Sequence, residues 1–245
     1  MLNNRSRRWV VALAALAMVM LTGRLGWWQL ERAAQKQALH DTIQARALLS
    51  PLGERALARD ADTARGQHYR PVRLHGRWLA QHTVFLDNRQ MAGRPGFFVL
   101  TPLLLGPGDA VLVQRGWVPR DAQERTRLPQ VPTPAGVVEV PGRIAPPPAR
   151  LYEFAPAASG AIRQNLDLGA YAAEIGVALR PLSVQQLDDA ATPADGLLRD
   201  WSLPPLDVAK HHGYAFQWFA LCALIAGLYA WFQLLRPRLG TRRTA

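Results

Sequence analysis

Two apolar segments, one near each end of the chain, constrain this fold more than any other feature. The second, Gly213 to Leu235, reads GYAFQWFALCALIAGLYAWFQLL and carries no charge. The first, Trp9 to Leu30, carries a single one, Arg24. At about 1.5 Å rise per residue, each is long enough to cross a hydrocarbon core of about 30 Å. Backbone amides in lipid must bond within their own segment, so both are expected to be helices. Two crossings put both termini on one side of a membrane and residues 31–212 on the other.

Charge orients this arrangement. Arg5, Arg7 and Arg8 precede the first span; Arg236, Arg238, Arg242 and Arg243 follow the second, and neither tail holds an acid. Basic flanks stay cytoplasmic, so the tails 1–8 and 236–245 are expected inside and the central region in a periplasm-like space. The net charge of +11 does not point to nucleic acid. All 18 acidic residues lie between Glu31 and Asp207, where basic residues nearly balance them. The excess is thus mostly a topology signal with anionic lipid headgroups as its counterpart, and no basic stripe interleaved with aromatics is present.

An uncleaved anchor is favoured over a signal peptide for the first segment. LTGRLGWW follows Met20, with no small-residue cleavage pattern and no Cys for lipid attachment. Arg24 is expected to snorkel to the outer interface, where Trp27 and Trp28 would also sit. Trp9 marks the inner face of this span. Tyr214 and Trp218 mark the outer end of the second span, Trp231 and Phe232 its inner end. The short stretch before the first span leaves no room for a mitochondrial transit peptide, which points to a bacterial inner membrane.

The only cysteine, Cys222, lies mid-span, so the central region must depend on its own core rather than on disulfides. Residues 31–47 have helical composition, extending the first helix beyond the membrane; 53–67 reads as loop or weak helix. Val72, Leu74, Gly76 and Trp78 alternate with Arg73, His75 and Arg77, the period of a half-buried strand. Further strands are expected at Thr83–Leu86, Gly96–Leu105, Ala110–Gln114, Val137–Ile144, Ile162–Leu166 and Leu182–Leu187. Gly106-Pro107-Gly108-Asp109 is a hairpin turn, Asn88-Arg89 another turn, and 145–160 a loop. Asp167 can cap a short helix that ends at Gly176. The expected class is membrane-anchored α+β: two transmembrane helices flanking one strand-rich domain, an antiparallel sheet or open barrel.

Catalytic motifs are missing: no GxSxG, P-loop, GxGxxG or HExxH occurs. His68, His75 and His82 are spaced by seven, which alternates faces on strands and argues against a shared metal. The informative constellation is Lys210-His211-His212-Gly213-Tyr214-Ala215-Phe216-Gln217-Trp218-Phe219 at the outer mouth of the second span. On a helix, His211, Tyr214 or Ala215, Trp218 and Cys222 form one stripe. Imidazole can ligate haem iron, and adjacent aromatics can cover a porphyrin face. Arg24, Arg32 or Lys210 could pair with propionates. The plainer alternative is that these residues anchor the helix at the interface. Ala223 and Gly227 form a small-xxx-small pair suited to close approach of the two spans. In Arg115-Gly116-Trp117-Val118-Pro119, Gly is expected to supply a special backbone angle, Trp to pack the core, and Arg115 to face a carboxylate or a propionate.

Four of these stretches resemble, in order, motifs of the Surfeit-locus cytochrome oxidase assembly family: LGWWQLER from Leu25, GRPGFFVLTPL from Gly93, VQRGWVP from Val113, and KHHGYAFQWF from Lys210. The resemblance covers nearly the whole chain, with His212 departing from the family's usual aliphatic residue. It implies a non-enzymatic assembly factor for haem-copper terminal oxidases that binds haem a and assists its insertion into oxidase subunit I, with haem a synthase as a further partner. His211 is then the candidate iron ligand and the metal-binding residue, with Tyr214, Trp218, Trp27 and Arg115 as cofactor-binding candidates. The rivals are a scaffold that stabilises an oxidase intermediate without holding haem, and a membrane-tethered enzyme.

Overall fold

The structure, a computed structural model, describes residues 3–121, 123–124, 126–152, 160–189 and 195–236. Arg238, Arg242 and Arg243, and most of the expected loop 145–160 beyond Tyr152, lie outside the described residues. The chain divides into two compact units. One comprises the residues up to Thr42 together with those from Pro204 onwards; the other is Ile43–Leu203.

The first unit is a pair of long helices. α1 runs Asn4–Ala47, so the helix does continue well past the first apolar segment. The second helix of the pair is Val208–Tyr229 and continues as π-helical turns through Leu235. Both are long and apolar enough to cross a membrane, and 11% and 0% of their apolar stretches are buried. A core helix of a water-soluble domain would bury such a stretch; here the leucines, tryptophans and phenylalanines face outwards.

The second unit is built from seven strands: β1 (Pro71–Trp78), β2 (Val84–Met91), β3 (Arg94–Gly106), β4 (Asp109–Pro119), β5 (Val137–Ala145), β6 (Ile162–Arg163) and β7 (Ala178–Gln186). Two short helices join them, α2 (Ala61–Gln67) and α3 (Leu168–Ile175), making the C-terminal helix α4. The strands follow the order β1-β5-β7-β4-β3-β2-β6, and β1 also pairs with β3. That last pairing, Arg77 with Leu104 and Trp78 with Leu103, closes five strands into a barrel. Gly76 permits the closure, because a Cβ there would stand 2.6 Å from the Leu104 carbonyl oxygen. Closure leaves β2 and the two-residue β6 as a flap beyond β3 and removes most exposed edge. Most pairs are antiparallel, but β4 runs parallel to β7 and β2 to β6.

Burial follows the sequence periodicities. β1 alternates buried and exposed residues as its apolar positions predict. β4 is buried on both faces from Ala110 to Trp117. Val111 and Val113 join Leu74, Leu103, Val140, Ile144, Leu182 and Val184 in one core cluster. Leu112 turns the other way, to Leu86, Leu100 and Tyr171 of α3. Asp167 caps α3, its side chain accepting from the Ala170 amide at 3.0 Å, and Gly176 ends it in the left-handed conformation at φ 69°.

Several expectations change in detail. The stretch 53–67 holds a 3-10 turn and α2, whose cap is Asp60 accepting from Thr63 at 2.9 Å. Asn88-Arg89 is not a turn: β2 passes through a bulge there, with Asn88 at φ 60°, and turns at Ala92-Gly93. Asn tolerates the left-handed region in a bulge as readily as in a turn, so the residue type alone could not distinguish them. The expected strand Ile162–Leu166 shortens to two residues, paired with Phe85 and Leu86, because the partner strand β2 shifts register directly after Leu86. Gly116 has no positive φ; a Cβ would meet the Leu197 Cβ at 2.6 Å, so close approach explains this glycine.

Candidate functional site

Covered residues on α1 include a series spaced alternately by three and four: Ala12, Ala15, Val19, Thr22, Gly26, Gln29, Ala33 and Lys36. On α4 the covered residues His211, Ala215, Trp218, Cys222, Ile225 and Tyr229 show the same rhythm. The two series mark the faces along which the helices meet. The helices run antiparallel within the unit: His211 meets Gln29, while the Cys222 thiol lies 3.5 Å from the Val19 carbonyl. Small residues line the contact. Ala215 is 2% exposed, and a Cβ on Gly26 would stand 2.9 Å from the Phe219 ring. Ala223 and Gly227, the small pair expected to bring the spans together, lie on the exposed face instead. Thr22, Gly26 and Ala33 of α1 and Ala215 of α4 fill that role, because the face of α4 that is covered is the one carrying His211.

His211 is half-buried at this seam. Its Nδ1 lies 2.7 Å from the Gln29 Oε1. With the Gln29 oxygen facing it, Nδ1 is the donor, and in the neutral ring Nε2 is then the acceptor; among the described residues Nε2 has no hydrogen-bond partner. An imidazole with one nitrogen held by a neighbour and the other open is the arrangement of a metal-ligating histidine. Such a nitrogen could ligate a haem iron, for which the chemistry of this side chain is suited. His212, the next residue, is exposed.

The other candidates are distributed as follows. Trp218 is partly covered in the α4 stripe, and Ala215 rather than Tyr214 takes the seam position between it and His211. Tyr214 is 52% exposed and Trp27 58% exposed, the Trp27 indole donating to Glu31 at 2.8 Å. Trp28 also faces outwards beneath the Arg32 guanidinium, 5.6 Å from its ring. Of the basic residues considered for propionates, the exposed Arg24 is 3.9 Å from Glu31 and the exposed Lys210 is 2.8 Å from the half-buried Asp207.

Arg115 belongs to the barrel unit. Its side chain, 3% exposed, donates to the Thr133 hydroxyl and the Pro132 carbonyl, each at 2.7 Å, and stacks on Trp78 at 4.9 Å. A carboxylate, Asp195, stands 3.7 Å away. Burial lowers its pKa from the ordinary arginine value, opposed by Asp195. The visible work of Arg115 is to tie residues 132–133 to the end of β4. Beside it Trp117 is fully buried, its indole donating to the Arg89 carbonyl at 2.9 Å, as its place in the core predicts.

The barrel unit also has a cleft of about 220 Å³ lined by His82, Thr83, Arg163, Tyr171 and Glu174. Its polar groups serve one another. Arg163 pairs with Glu174 through both terminal nitrogens and donates to the Gly160 carbonyl at 2.7 Å; the Tyr171 hydroxyl donates to the His82 carbonyl. Burial raises the Tyr171 pKa to about 12, so the phenol stays neutral. Among the described residues no three histidine, cysteine or acidic side chains gather into a metal cage.

The contact between Gln29 and His211 is not among the pairings expected from the sequence. The signal was present: Gln29 is an uncharged polar residue in an apolar segment, at a position that needs a partner.

Known proteins resemble this chain along its length. Surfeit locus protein 1 of Arabidopsis thaliana is 30% identical over 138 residues, 51% of this chain and 38% of the relative. Cytochrome oxidase assembly protein SHY1 of Saccharomyces cerevisiae is 29% identical over 103 residues, 42% of this chain and 26% of the relative. The chain thus matches well under half the length of these two relatives. A SURF1-like protein of Drosophila melanogaster is 27% identical over 233 residues, covering 88% of this chain and 74% of the relative. The SURF1 family profile matches residues 16–223, from inside α1 through the barrel to Ala223 of α4. On that match, the chain belongs to the SURF1 family.

Proposed function

We propose that this chain is a non-enzymatic, membrane-anchored assembly factor for a haem-copper terminal oxidase, and that it holds haem a at His211 on the way to oxidase subunit I. Haem a synthase would supply the cofactor. Both tails would lie in the cytoplasm of a bacterium, with the barrel in the periplasm. Family membership and the printed role of the SHY1 relative, cytochrome oxidase assembly, support the process. The observation that carries the haem reading is the His211 imidazole, held at Nδ1 and open at Nε2 where two apolar helices meet. The bound haem would supply the iron that Nε2 ligates. The chain's residues would hold and orient the group: Tyr214 and Trp218 offer aromatic surface on α4, and Trp27 on α1.

The test is the absorption spectrum of protein purified in detergent from cells that make haem a. A Soret band that survives His212→Ala and disappears in His211→Ala supports the reading; colourless wild-type protein from such cells sinks it. Cells lacking the protein should lose oxidase activity while still making haem a.

The second reading, a scaffold that never holds haem, draws on the same contact. The Gln29–His211 hydrogen bond by itself satisfies a polar residue on each helix and needs no ligand to explain it. Wild-type protein without colour, whose loss still lowers oxidase assembly, would favour it.

A further inference from the structure

We propose that Gln29 is the positioning residue for His211: its hydrogen bond to Nδ1 holds the imidazole with Nε2 turned to a ligand. The inference rests on the reading of His211 as a haem ligand and assigns the partner that prepares it. Its basis is geometric. The hydrogen bond is 2.7 Å, joins residues 182 positions apart, and links the two helices. Apart from Gln29, the α1 series from Ala12 to Ala33 is apolar or small, save Thr22, whose hydroxyl bonds back to the Met18 carbonyl at 2.7 Å. Within that stretch Gln29 is the side chain seen to hydrogen-bond a polar group of α4.

A neutral imidazole carries one proton, on either nitrogen. With an acceptor at Nδ1, the Nε2–H tautomer would set lone pair against lone pair and lose the hydrogen bond. The Nδ1–H tautomer keeps that hydrogen bond and leaves the Nε2 lone pair unshared. A neutral amide also differs from the carboxylate found behind many ligating histidines. It fixes the ring without pulling strongly on the proton, so the imidazole is a weaker donor than one backed by Asp or Glu. A weaker bond to iron suits a carrier that must let its haem go.

Two measurements on detergent-purified, full-length protein test this. The first needs no haem. In nitrogen-15 histidine-labelled protein at alkaline pH, with the His211 signal identified by its loss in His211→Ala, wild type should show the Nδ1–H tautomer. Gln29→Leu should shift the population toward Nε2–H. The second titrates haem a into each variant and records affinity and reduction potential. Gln29→Leu should weaken binding about 10–100-fold. Gln29→Glu should keep or tighten binding and lower the potential, because a carboxylate gives the ring more imidazolate character.

Cross-linking of Val19→Cys to Cys222 reports whether the helices still pair in each variant. If pairing fails in Gln29→Leu, Gln29→Asn carries the decision: it keeps the amide but shortens its reach, and unchanged tautomer and affinity in it overturn the proposal. An Nε2–H tautomer in wild type, or a paired Gln29→Leu variant with unchanged tautomer and affinity, overturns the proposal. Haem binding that persists in His211→Ala overturns the ligand assignment itself, and this proposal with it.

Discussion

At the residue scale, the family's RGWVP stretch reads here as architecture. Trp117 is fully buried, its indole satisfied by the Arg89 carbonyl and its ring beneath the Arg94 guanidinium at 5.6 Å. Its backbone exchanges two hydrogen bonds with Leu198, at 2.7 and 2.8 Å, pinning the segment that follows β7. Trp117→Ala is expected to cost about 3–5 kcal/mol, read as a shift in the denaturation midpoint followed by tryptophan fluorescence. Asp109 makes a second, pH-dependent case. It receives Arg180 through two nitrogens, each at 2.6 Å, and Arg59 at 3.1 Å. Hydrogen bonding from Arg180 holds its pKa below the ordinary carboxylate value of 3.8. A carboxylate whose folded pKa is depressed contributes stability above its unfolded pKa and loses it as pH falls through the folded value. Asp109→Asn should thus destabilise by on the order of 3 kcal/mol near neutrality, leaving the buried Arg180 unpaired. The gap from wild type should narrow as pH drops below about 3.9. A gap that stays constant through that range would refute the assignment.

At the element scale, the helix pair and α3 make separate predictions. The seam puts Val19 against Cys222, so Val19→Cys should form a disulfide with Cys222 under mild oxidation. Gly26→Leu should abolish the cross-link, since even a Cβ at that position meets the Phe219 ring at 2.9 Å. A cross-link that persists undiminished would mean the helices pair through another face. In α3, Asp167→Ala removes the cap from the Ala170 amide and should cost about 1 kcal/mol. The cap and the glycine stop were legible because both act within a few residues of the helix they bound. The bulge at Asn88 was not, because its residue type suits a turn equally well and only the partner strand β3 decides between them.

For the whole molecule, two long apolar helices and a closed barrel divide the chain into a part suited to lipid and a part suited to water. If both helices span, a reporter inserted after Arg150 should be active only outside the cytosol, and reporters at either terminus only within it. Activity of the Arg150 fusion in the cytosol would refute the proposed threading. The barrel's net charge is modest and the basic excess lies at the helix flanks, so that orientation agrees with the basic-flank rule.

Local pattern alone determined the two helices, most of the strands, the capped α3 and the histidine at the mouth of the second span, because each is written within one turn or one strand of sequence. Tertiary structure decided what depends on distant partners. The pairing of β1 with β3 closed the barrel, and the parallel pairing of β4 with β7 set its order. Residues 132–133 claimed the Arg115 guanidinium, and α1 chose the face of α4 that carries His211. That choice is hidden in sequence for a physical reason. A helix apolar all round shows no polar–apolar contrast between its packed and lipid-facing sides. Its inward face is set by the small residues and the one polar pair that let two backbones approach, and those are visible only when both helices are present.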